Sequence, residues 1–192
     1  VEQGAQRALD FYTSFASPSR QNFAWADYLK NSFTAFGERT AAMVFGFAED
    51  ISRITAINPH LAFQAIPLPQ PKDANAAITY GRYFFPAVSK FSPNPTASWQ
   101  FVLYATLGEG AKIYSEQTGR PPARRDLITG GASSAMLDVF YRQALIAKSW
   151  QVPDELRARR LFQEAVNSVV IRAATPDQAT RRLKDQLRLL LP

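Results

Sequence analysis

Apolar residues recur every three or four positions along much of the chain, and this spacing is typical of amphipathic helices. It runs over residues 3–16 before Pro18 interrupts it. The same criterion predicts helices over 32–36, 48–57, 95–107, 110–118 and 134–147, and another that starts at Pro153. The segment Thr175-Pro176-Asp177-Gln178 has the form of a capping box with proline at the first helical position, which predicts the start of a last helix.

Three shorter apolar segments predict strands. Residues 40–47 form an apolar run bounded by turns, and residues 61–68 alternate between apolar and polar until two prolines place the strand at an edge or an ending. Residues 78–90 are expected to be extended, with a strand at 86–90. The pattern as a whole therefore predicts an α/β fold that is rich in helix and has only a few short strands.

Composition narrows the classes of function. Hydrophobic residues make up 46% of the 192 positions, which is enough for a sizeable core, and no window approaches eighteen apolar residues without a charge. The chain has no cysteine, which excludes disulfides, thiol catalysis and zinc–cysteine sites. Its single histidine, His60, has no second histidine with which to form a metal site. We therefore expect no metal ion and no cofactor.

The charge of the chain is basic, with a formal net charge of +6 and a pI near 9.8. Most of the excess arginine lies after residue 119, where basic side chains alternate with acidic ones. One interpretation is a nucleic-acid surface. Solvated helix faces account for the pattern better, because the basic residues are not interleaved with the aromatic residues that a single-strand binder needs. We expect no nucleic-acid partner.

The sequence lacks a recognisable catalytic constellation. Ser133 and Ser134 stand outside a Gly-x-Ser-x-Gly motif, and the Gly-x-Gly at 108–110 lacks the third glycine of a dinucleotide loop. Glu49 and Asp50 are neighbours, and neighbours on a helix do not share a face, so their charges are better placed to favour the helix N-terminus. We therefore expect that the protein is not an enzyme and that no residue is catalytic.

Aromatic residues crowd the segment "ITYGRYFFP", in which Tyr80, Tyr83, Phe84 and Phe85 surround Gly81. Flat rings can bury the apolar C–H faces of a sugar, and glycine lets the backbone approach a ligand closely. The alternative is that these rings fill a core beneath loops. Four rings in one irregular segment favour a ligand surface, but the pattern leaves both interpretations open.

Several segments, in their order along the chain, resemble the extracellular solute-binding proteins of ABC importers, closest to the carbohydrate type that includes maltose-binding protein. They are "ALDFYTSFASP", "FAWADYLKNSFTAFGERTAAMVFGF", "AFQAIPLPQP", "YGRYFFPAVSKFSPNPTASWQFV" and "TGRPPARRDLI". Within them, Phe36 and Ala42-Met43 match a family pattern whose glycine is here displaced to position 37, and the Ala-Trp-x-Phe motif carries one inserted residue at 97–101. Members are considerably longer, so the chain resembles their C-terminal half.

The resemblance implies a type II periplasmic-binding-protein-like fold with two lobes, of which this chain covers mainly the C-terminal lobe and a returning strand–helix segment. It implies that residues 1–60 belong to the C-terminal lobe, that 61–112 return to the other lobe, and that 113–192 form hinge and C-terminal-lobe helices. It further implies an extracellular or periplasmic location, with a membrane anchor on a lipid-modified cysteine in the missing N-terminal half. An isolated C-terminal half would expose unpaired strand edges and would be unstable or associate.

The function implied by the resemblance is capture of a sugar or oligosaccharide in an aromatic-lined cleft and delivery to an ABC permease in the membrane. Carried over position by position, the residues implied to bind the ligand are Trp25, Phe47, Gly81, Tyr83, Phe84 and Arg124. Arg124 could also be an exposed hinge residue. The alternative function is a protein-interaction module that keeps the fold without transporting a small ligand.

Overall fold

The computed structural model of the protein describes residues 2–26, 28–72, 74–150 and 154–190. The chain divides into two compact units. Unit 1 comprises Val1–Leu29 and Trp150–Pro192, and unit 2 comprises Lys30–Ser149. The described elements are helices α1 (Glu2–Ser14), α2 (Ser32–Gly37), α3 (Asp50–Ile57), α4 (Pro95–Leu107), α5 (Glu109–Thr118), α6 (Arg125–Thr129), α7 (Ala135–Ala144), α8 (Glu155–Val170) and α9 (Pro176–Arg188), with strands β1 (Thr79–Tyr80) and β2 (Ala147–Lys148).

The helices predicted from apolar spacing are confirmed, with ends that differ by a few residues. The predicted capping box also forms, because Thr175 and Gln178 complete it at the start of α9, and the Asn31 side chain caps α2 by accepting from the Phe33 N–H. The predicted start of α8 at Pro153 lies outside the described residues, and the helix is described from Glu155. Local pattern was sufficient for these elements because caps and helix periodicity act within a few residues.

Unit 1 is held together by an apolar core between α1, α8 and α9. Its buried members are Ala165, Ala174 and Ala179. Partly buried apolar side chains from the three elements surround them, namely Leu9, Val169 and Leu183. Alanine lets the helix backbones approach closely, so this small core depends on tight packing rather than on large side chains.

Unit 2 contains α2 to α7 and the two strands, and α4 is its most apolar helix. The sequence of α4, "PTASWQFVLYATL", is apolar on all sides, yet none of its residues is buried. Phe101 remains 69% exposed and Leu107 remains 61% exposed. A helix that is apolar on every side is normally covered by other protein, so α4 presents an uncovered apolar surface within unit 2.

The sheet consists of β1 and β2, which pair in parallel with Thr79 opposite Ala147. The predicted strands at 40–47, 61–68 and 86–90 are wrong, because these residues adopt irregular backbone. A strand needs a neighbouring strand to receive its backbone hydrogen bonds, and side chains take that place here. The Gln143 amide oxygen accepts from the Leu68 N–H at 3.2 Å.

The division of residues 1–60, 61–112 and 113–192 between two lobes stays a prediction. The helix-rich character predicted for the fold is confirmed by the order of elements. Among the described residues, no helix combines the length and the apolarity required to cross a membrane.

Candidate functional site

Two arginine side chains in unit 2 meet at the carboxylate of one glutamate. Arg82 donates from Nη2 to Oε1 of Glu49, and Nη2 of Arg120 forms an ion pair with Oε2 of the same carboxylate at 2.6 Å. The three side chains are between 27% and 36% exposed, so they are partly desolvated but still accessible. We refer to Arg82, Glu49 and Arg120 as the Glu49 triad. Because two guanidinium groups share one carboxylate, the triad carries one net positive charge.

Aromatic rings flank both arginines of the triad. The guanidinium carbon of Arg82 lies 4.5 Å from the ring centroid of Phe47, and that of Arg120 lies 4.8 Å from the ring centroid of Phe84. The Phe47 ring also lies 6.3 Å from that of Tyr80. Cation–π contacts of this kind hold a planar guanidinium against a ring face while its N–H edges stay available for hydrogen bonds.

Local sequence fixes the position of Arg120. Helix α5 ends at Thr118, and Gly119 adopts the left-handed conformation with φ of 66°, which turns the chain out of the helix. The buried Ser115 hydroxyl then donates to the Arg120 carbonyl at 2.6 Å and also shares a hydrogen bond of 2.8 Å with the Tyr141 hydroxyl. Arg120 therefore leaves the helix at a point that buried hydrogen bonds define.

The environment of the Arg120 guanidinium favours its charged form. Desolvation lowers the pKa of Arg120, but a hydrogen bond to the Tyr114 hydroxyl and the charge of Glu49 raise it more, so the net shift is upward. The hydrogen bond runs from Arg120 Nη1 to the Tyr114 oxygen over 2.8 Å. Arg120 is consequently a permanent cation in a defined orientation.

The Glu49 side chain is available to the two arginines because it does not cap its own helix. Glu49 is the N-cap of α3, but its side chain makes no capping hydrogen bond. Asp50 Oδ2 instead accepts from the Phe47 N–H at 2.8 Å. Asp50 lies in the first turn of α3, as the sequence interpretation expects, whereas the Glu49 side chain contacts Arg82 and Arg120.

Gly81 carries the chain from β1 to Arg82. Its N–H donates to the Lys148 carbonyl at 3.1 Å and extends the pairing with β2 by one residue. A Cβ at Gly81 would lie 3.0 Å from the Ala147 Cβ and 3.2 Å from the Tyr83 hydroxyl oxygen. A larger residue would push β1 away from β2, so glycine is required by close approach of two parts of the chain.

Two further rings stand beside this strand pair. Tyr83 and Phe85 stack with centroids 6.5 Å apart and an interplanar angle of 29°. The Tyr83 hydroxyl donates to the Ala147 carbonyl at 3.3 Å, which holds the pair against β2. Tyr83 is 48% exposed and Phe85 is 84% exposed, so the stacked pair offers an accessible apolar surface. We call Tyr83 and Phe85 the ring pair.

Four of the predicted ligand residues of unit 2 belong to the triad and ring-pair region, and the fifth, Arg124, makes separate contacts. Phe47 and Phe84 contact the triad arginines, and Gly81 and Tyr83 belong to the segment that carries Arg82 and the ring pair. Arg124 instead donates from Nε and Nη2 to both oxygens of Asp126, at 3.0 and 2.5 Å, and from Nη1 to the Leu107 carbonyl. Its ligand role stays a prediction, although these bonds direct much of its guanidinium toward its own chain.

Trp25 belongs to unit 1, so it is described separately from the residues above. It lines a cavity of about 390 Å³ together with Ala16, Ala26, Tyr28, Asn167, Val170 and Ile171. Its ring lies 6.1 Å from that of Tyr12, and its buried Nε1 has no hydrogen-bond partner within the described chain. Its predicted role in ligand binding stays a prediction.

Sequence reasoning did not select Glu49, Arg82 or Arg120 as site residues. A signal was present for Arg120 in "TGRPP", where glycine ends a helix and two prolines prevent it from continuing, so that the intervening arginine must leave the helix. Arg82 stood in the centre of the aromatic segment. The link between these positions and Glu49 spans 33 residues for Arg82 and is therefore invisible to local pattern.

Comparison with known proteins gives one family. A family model described as bacterial extracellular solute-binding protein matches residues 1–136, which is more than half of the chain and includes the Glu49 triad and the ring pair. None of the curated proteins compared with the chain matches it. Within the described residues, no group of three or more histidine, cysteine or acidic side chains is arranged to hold a metal ion.

Proposed function

This chain belongs to the bacterial extracellular solute-binding proteins, and from that membership we propose that it captures a sugar or oligosaccharide and delivers it to an ABC permease in the membrane. Membership itself indicates an extracellular or periplasmic protein that binds a small solute for a transporter. The choice of carbohydrate as the solute, the resemblance to maltose-binding protein and the delivery to a permease form the proposal.

The observation that carries the proposal is the exposed ring pair beside Gly81. Pyranose rings present apolar C–H faces, which lose unfavourable contact with water when they lie on an aromatic surface. Tyr83 and Phe85 supply such a surface, and the hydrogen bond from Tyr83 to the Ala147 carbonyl orients it before any ligand arrives. A preoriented surface reduces the entropy lost on binding.

The Glu49 triad provides polar groups suited to the edges of a sugar. A guanidinium has five N–H donors, and Arg82 uses one of them on Glu49, while Arg120 uses two on Glu49 and Tyr114. Donors therefore remain for hydroxyl oxygens of a solute. Rings and charged polar groups lie within one unit of the chain, as recognition of a polyol requires.

The proposed setting is the two-lobed fold of the family, with the ring pair and the triad facing the ligand cleft. In that setting this chain supplies the C-terminal lobe and a returning segment, and the rest of the protein supplies the other lobe and an N-terminal lipid anchor. The exposed apolar surface of α4 supports this arrangement, because a surface of that kind needs a protein cover.

Isothermal titration calorimetry with a panel of mono- and oligosaccharides tests the proposal. We expect a member of the panel to bind, and we expect Phe85→Ala to weaken its binding about tenfold, because part of the stacking surface is lost. Phe91→Ala is the matched control, since Phe91 is 82% exposed and lies outside the ring pair. Equal affinities for both variants and the parent, or no binding by the parent, would contradict the proposal.

A protein-interaction module is the second candidate, and the same apolar α4 surface favours it. In that case no sugar would bind, and an α4 variant such as Phe101→Ser would abolish association with a protein partner. Sugar binding that Phe101→Ser leaves intact would decide for transport. Calorimetry with the sugar panel, together with sedimentation that compares the association of the parent and of Phe101→Ser with a protein partner, therefore separates the two candidates.

A further inference from the structure

We propose that the Glu49 triad selects solutes that carry a carboxylate, so that the sugar captured by this protein is an acidic one such as a uronate; this inference rests on the proposed carbohydrate function. The chemistry is a charge-assisted hydrogen bond between a solute carboxylate and the guanidinium groups of Arg82 and Arg120. Neither composition nor family membership assigns a charge to the solute.

The first support is the charge of the triad. Arg82 and Arg120 share the single carboxylate of Glu49, and each uses only one nitrogen for it. Guanidinium groups favour bidentate contact with carboxylates, so this monodentate sharing leaves both arginines able to bind a second carboxylate. A neutral solute would cover the triad and leave its excess positive charge without a partner.

The second support is the position of the other nearby carboxylate. Asp50 could neutralise the excess charge, but its Oδ2 accepts from the Phe47 N–H at 2.8 Å. Asp50 is also in the first turn of α3, where the positive end of the helix dipole compensates its charge. Among the described residues, Asp50 therefore makes no ion pair with either arginine of the triad.

The third support is preorganisation. Arg120 is held by Tyr114, by Glu49 and, through its carbonyl, by the buried Ser115 hydroxyl. Arg82 follows Gly81, whose N–H is bound to β2, and its guanidinium lies against Phe47. Cations fixed in this way lose little side-chain entropy when a carboxylate binds.

The ring pair, which lies in the same segment as Arg82, supplies the apolar part of the proposed solute surface. Tyr83 and Phe85 occur in the same segment as Arg82, separated from it by at most three residues. A solute that uses both features needs an apolar face for the rings and an anionic group for the guanidinium groups. A hexuronate has both, since its carboxylate replaces the hydroxymethyl group at the edge of the pyranose ring.

The test measures the affinity of the chain for matched pairs of ligands by calorimetry: glucuronate with glucose, galacturonate with galactose, and their disaccharides. We expect the acidic member of the binding pair to bind at least about tenfold more tightly, the size of effect that charge-assisted hydrogen bonds provide. Added salt should weaken the acidic member more than the neutral one.

Two substitutions change the charge of the triad in opposite directions. Arg82→Gln removes one positive charge and should abolish the preference for the acidic sugar, whereas Glu49→Gln removes the competing carboxylate and should increase that preference. Arg53→Gln is the matched control, because Arg53 also lies 4.5 Å from a ring centroid, that of Phe33, but does not contact Glu49. Circular dichroism and thermal melting verify that each variant is folded.

The outcomes separate this inference from the function on which it rests. Neutral sugars that bind as tightly as their acidic partners would overturn the inference and leave the carbohydrate function intact. A preference that Arg82→Gln does not reduce would also overturn it, because the carboxylate would then be recognised elsewhere. Failure of every sugar to bind would overturn the carbohydrate function and the inference together.

Discussion

Units 1 and 2 are stabilised in different ways. Unit 1 joins three helices through an apolar core of alanines, centred on Ala165, Ala174 and Ala179. In unit 2, polar side chains join segments that are far apart in the sequence: Glu49 binds Arg82 and Arg120, and Gln143 binds the Leu68 backbone. Apolar packing is insensitive to charge, whereas polar links respond to pH, to salt and to charged ligands.

The difference is informative about function. A surface that recognises a polar solute needs charged groups that are only partly desolvated and fixed by their own contacts, and these are the properties of the Glu49 triad. The core of unit 1 consists of apolar side chains without such groups. The apolar core of unit 1 and the charged groups of the triad thus involve different residues, which makes their effects separable by mutation.

The largest expected effect is in unit 1. Ala179 is 2% exposed, so Ala179→Asp buries a carboxylate without a partner and should lower the free energy of unfolding by about 3 kcal/mol or more. Ala5→Asp, at an exposed position in α1, is the control and should change it by less than about 0.5 kcal/mol. Urea unfolding followed by circular dichroism measures both. Equal effects would show that α1, α8 and α9 do not share a core.

A smaller effect is expected from the buried hydroxyl pair of unit 2. Ser115→Ala removes the donor to the Arg120 carbonyl and a partner of the Tyr141 hydroxyl, so the free energy of unfolding should fall by about 2 kcal/mol. Tyr141→Phe keeps the bond from Ser115 to Arg120 and should cost less. The binding measurement sharpens the comparison: Ser115→Ala should weaken sugar binding more than Tyr141→Phe, and the reverse order would contradict the positioning of Arg120 by Ser115.

How much could be foreseen depended on the range of the interaction. The capping box at Thr175, the helix after it and the helix over 32–36 follow from signals within a few residues, and these predictions were confirmed. The strand predicted at 61–68 is wrong, because apolar alternation alone does not form a strand. Its backbone groups also need a neighbouring strand with which to form hydrogen bonds. Close to this segment, the side-chain amide of Gln70 takes the place of a neighbouring strand, because it forms hydrogen bonds with both the N–H and the carbonyl of Ile78.

The candidate site was foreseen only where its residues were aromatic. Tyr83 and Phe84 stood out as rings in an irregular segment, Gly81 stood out as a glycine among them, and Phe47 was implied by the resemblance to the solute-binding family. Glu49 was predicted to serve the end of a helix, and its two arginines come from distant positions in the sequence. Charge pairing between distant residues leaves no periodicity or motif, so the polar half of the site appears only when the chain is folded.

Helix capping gives a third test, of intermediate size. Thr175 makes both bonds of a capping box in unit 1, whereas Asn94, the N-cap of α4 in unit 2, makes no capping bond with its side chain. Thr175→Ala should lower the free energy of unfolding by about 1 kcal/mol, and Asn94→Ala should lower it by only a few tenths. Hydrogen exchange resolved by peptide locates each loss. A larger loss from Asn94→Ala would contradict the contrast between the two helix starts.

The smallest expected effect concerns the pH dependence of unit 2. A hydrogen bond from Arg124, together with its charge, lowers the pKa of Asp126 below its ordinary value of 3.8, and the same contact raises the pKa of Arg124. A carboxyl group whose pKa is lower in the folded state contributes its stabilisation above its ordinary pKa and loses it as the pH falls through the folded value.

Both side chains are solvent-exposed in this pair, so the contribution is small and screened by salt. Asp126→Asn should therefore reduce stability slightly at pH 6, and the difference from the parent should vanish as the pH falls through the lowered pKa of Asp126. Arg124→Gln should remove the same pH-dependent contribution, because it deletes the other partner. Urea unfolding at a series of pH values, read by hydrogen exchange at α6, measures both variants. A difference that grows as the pH falls would reverse the sign and show that Asp126 is stabilised in its protonated form.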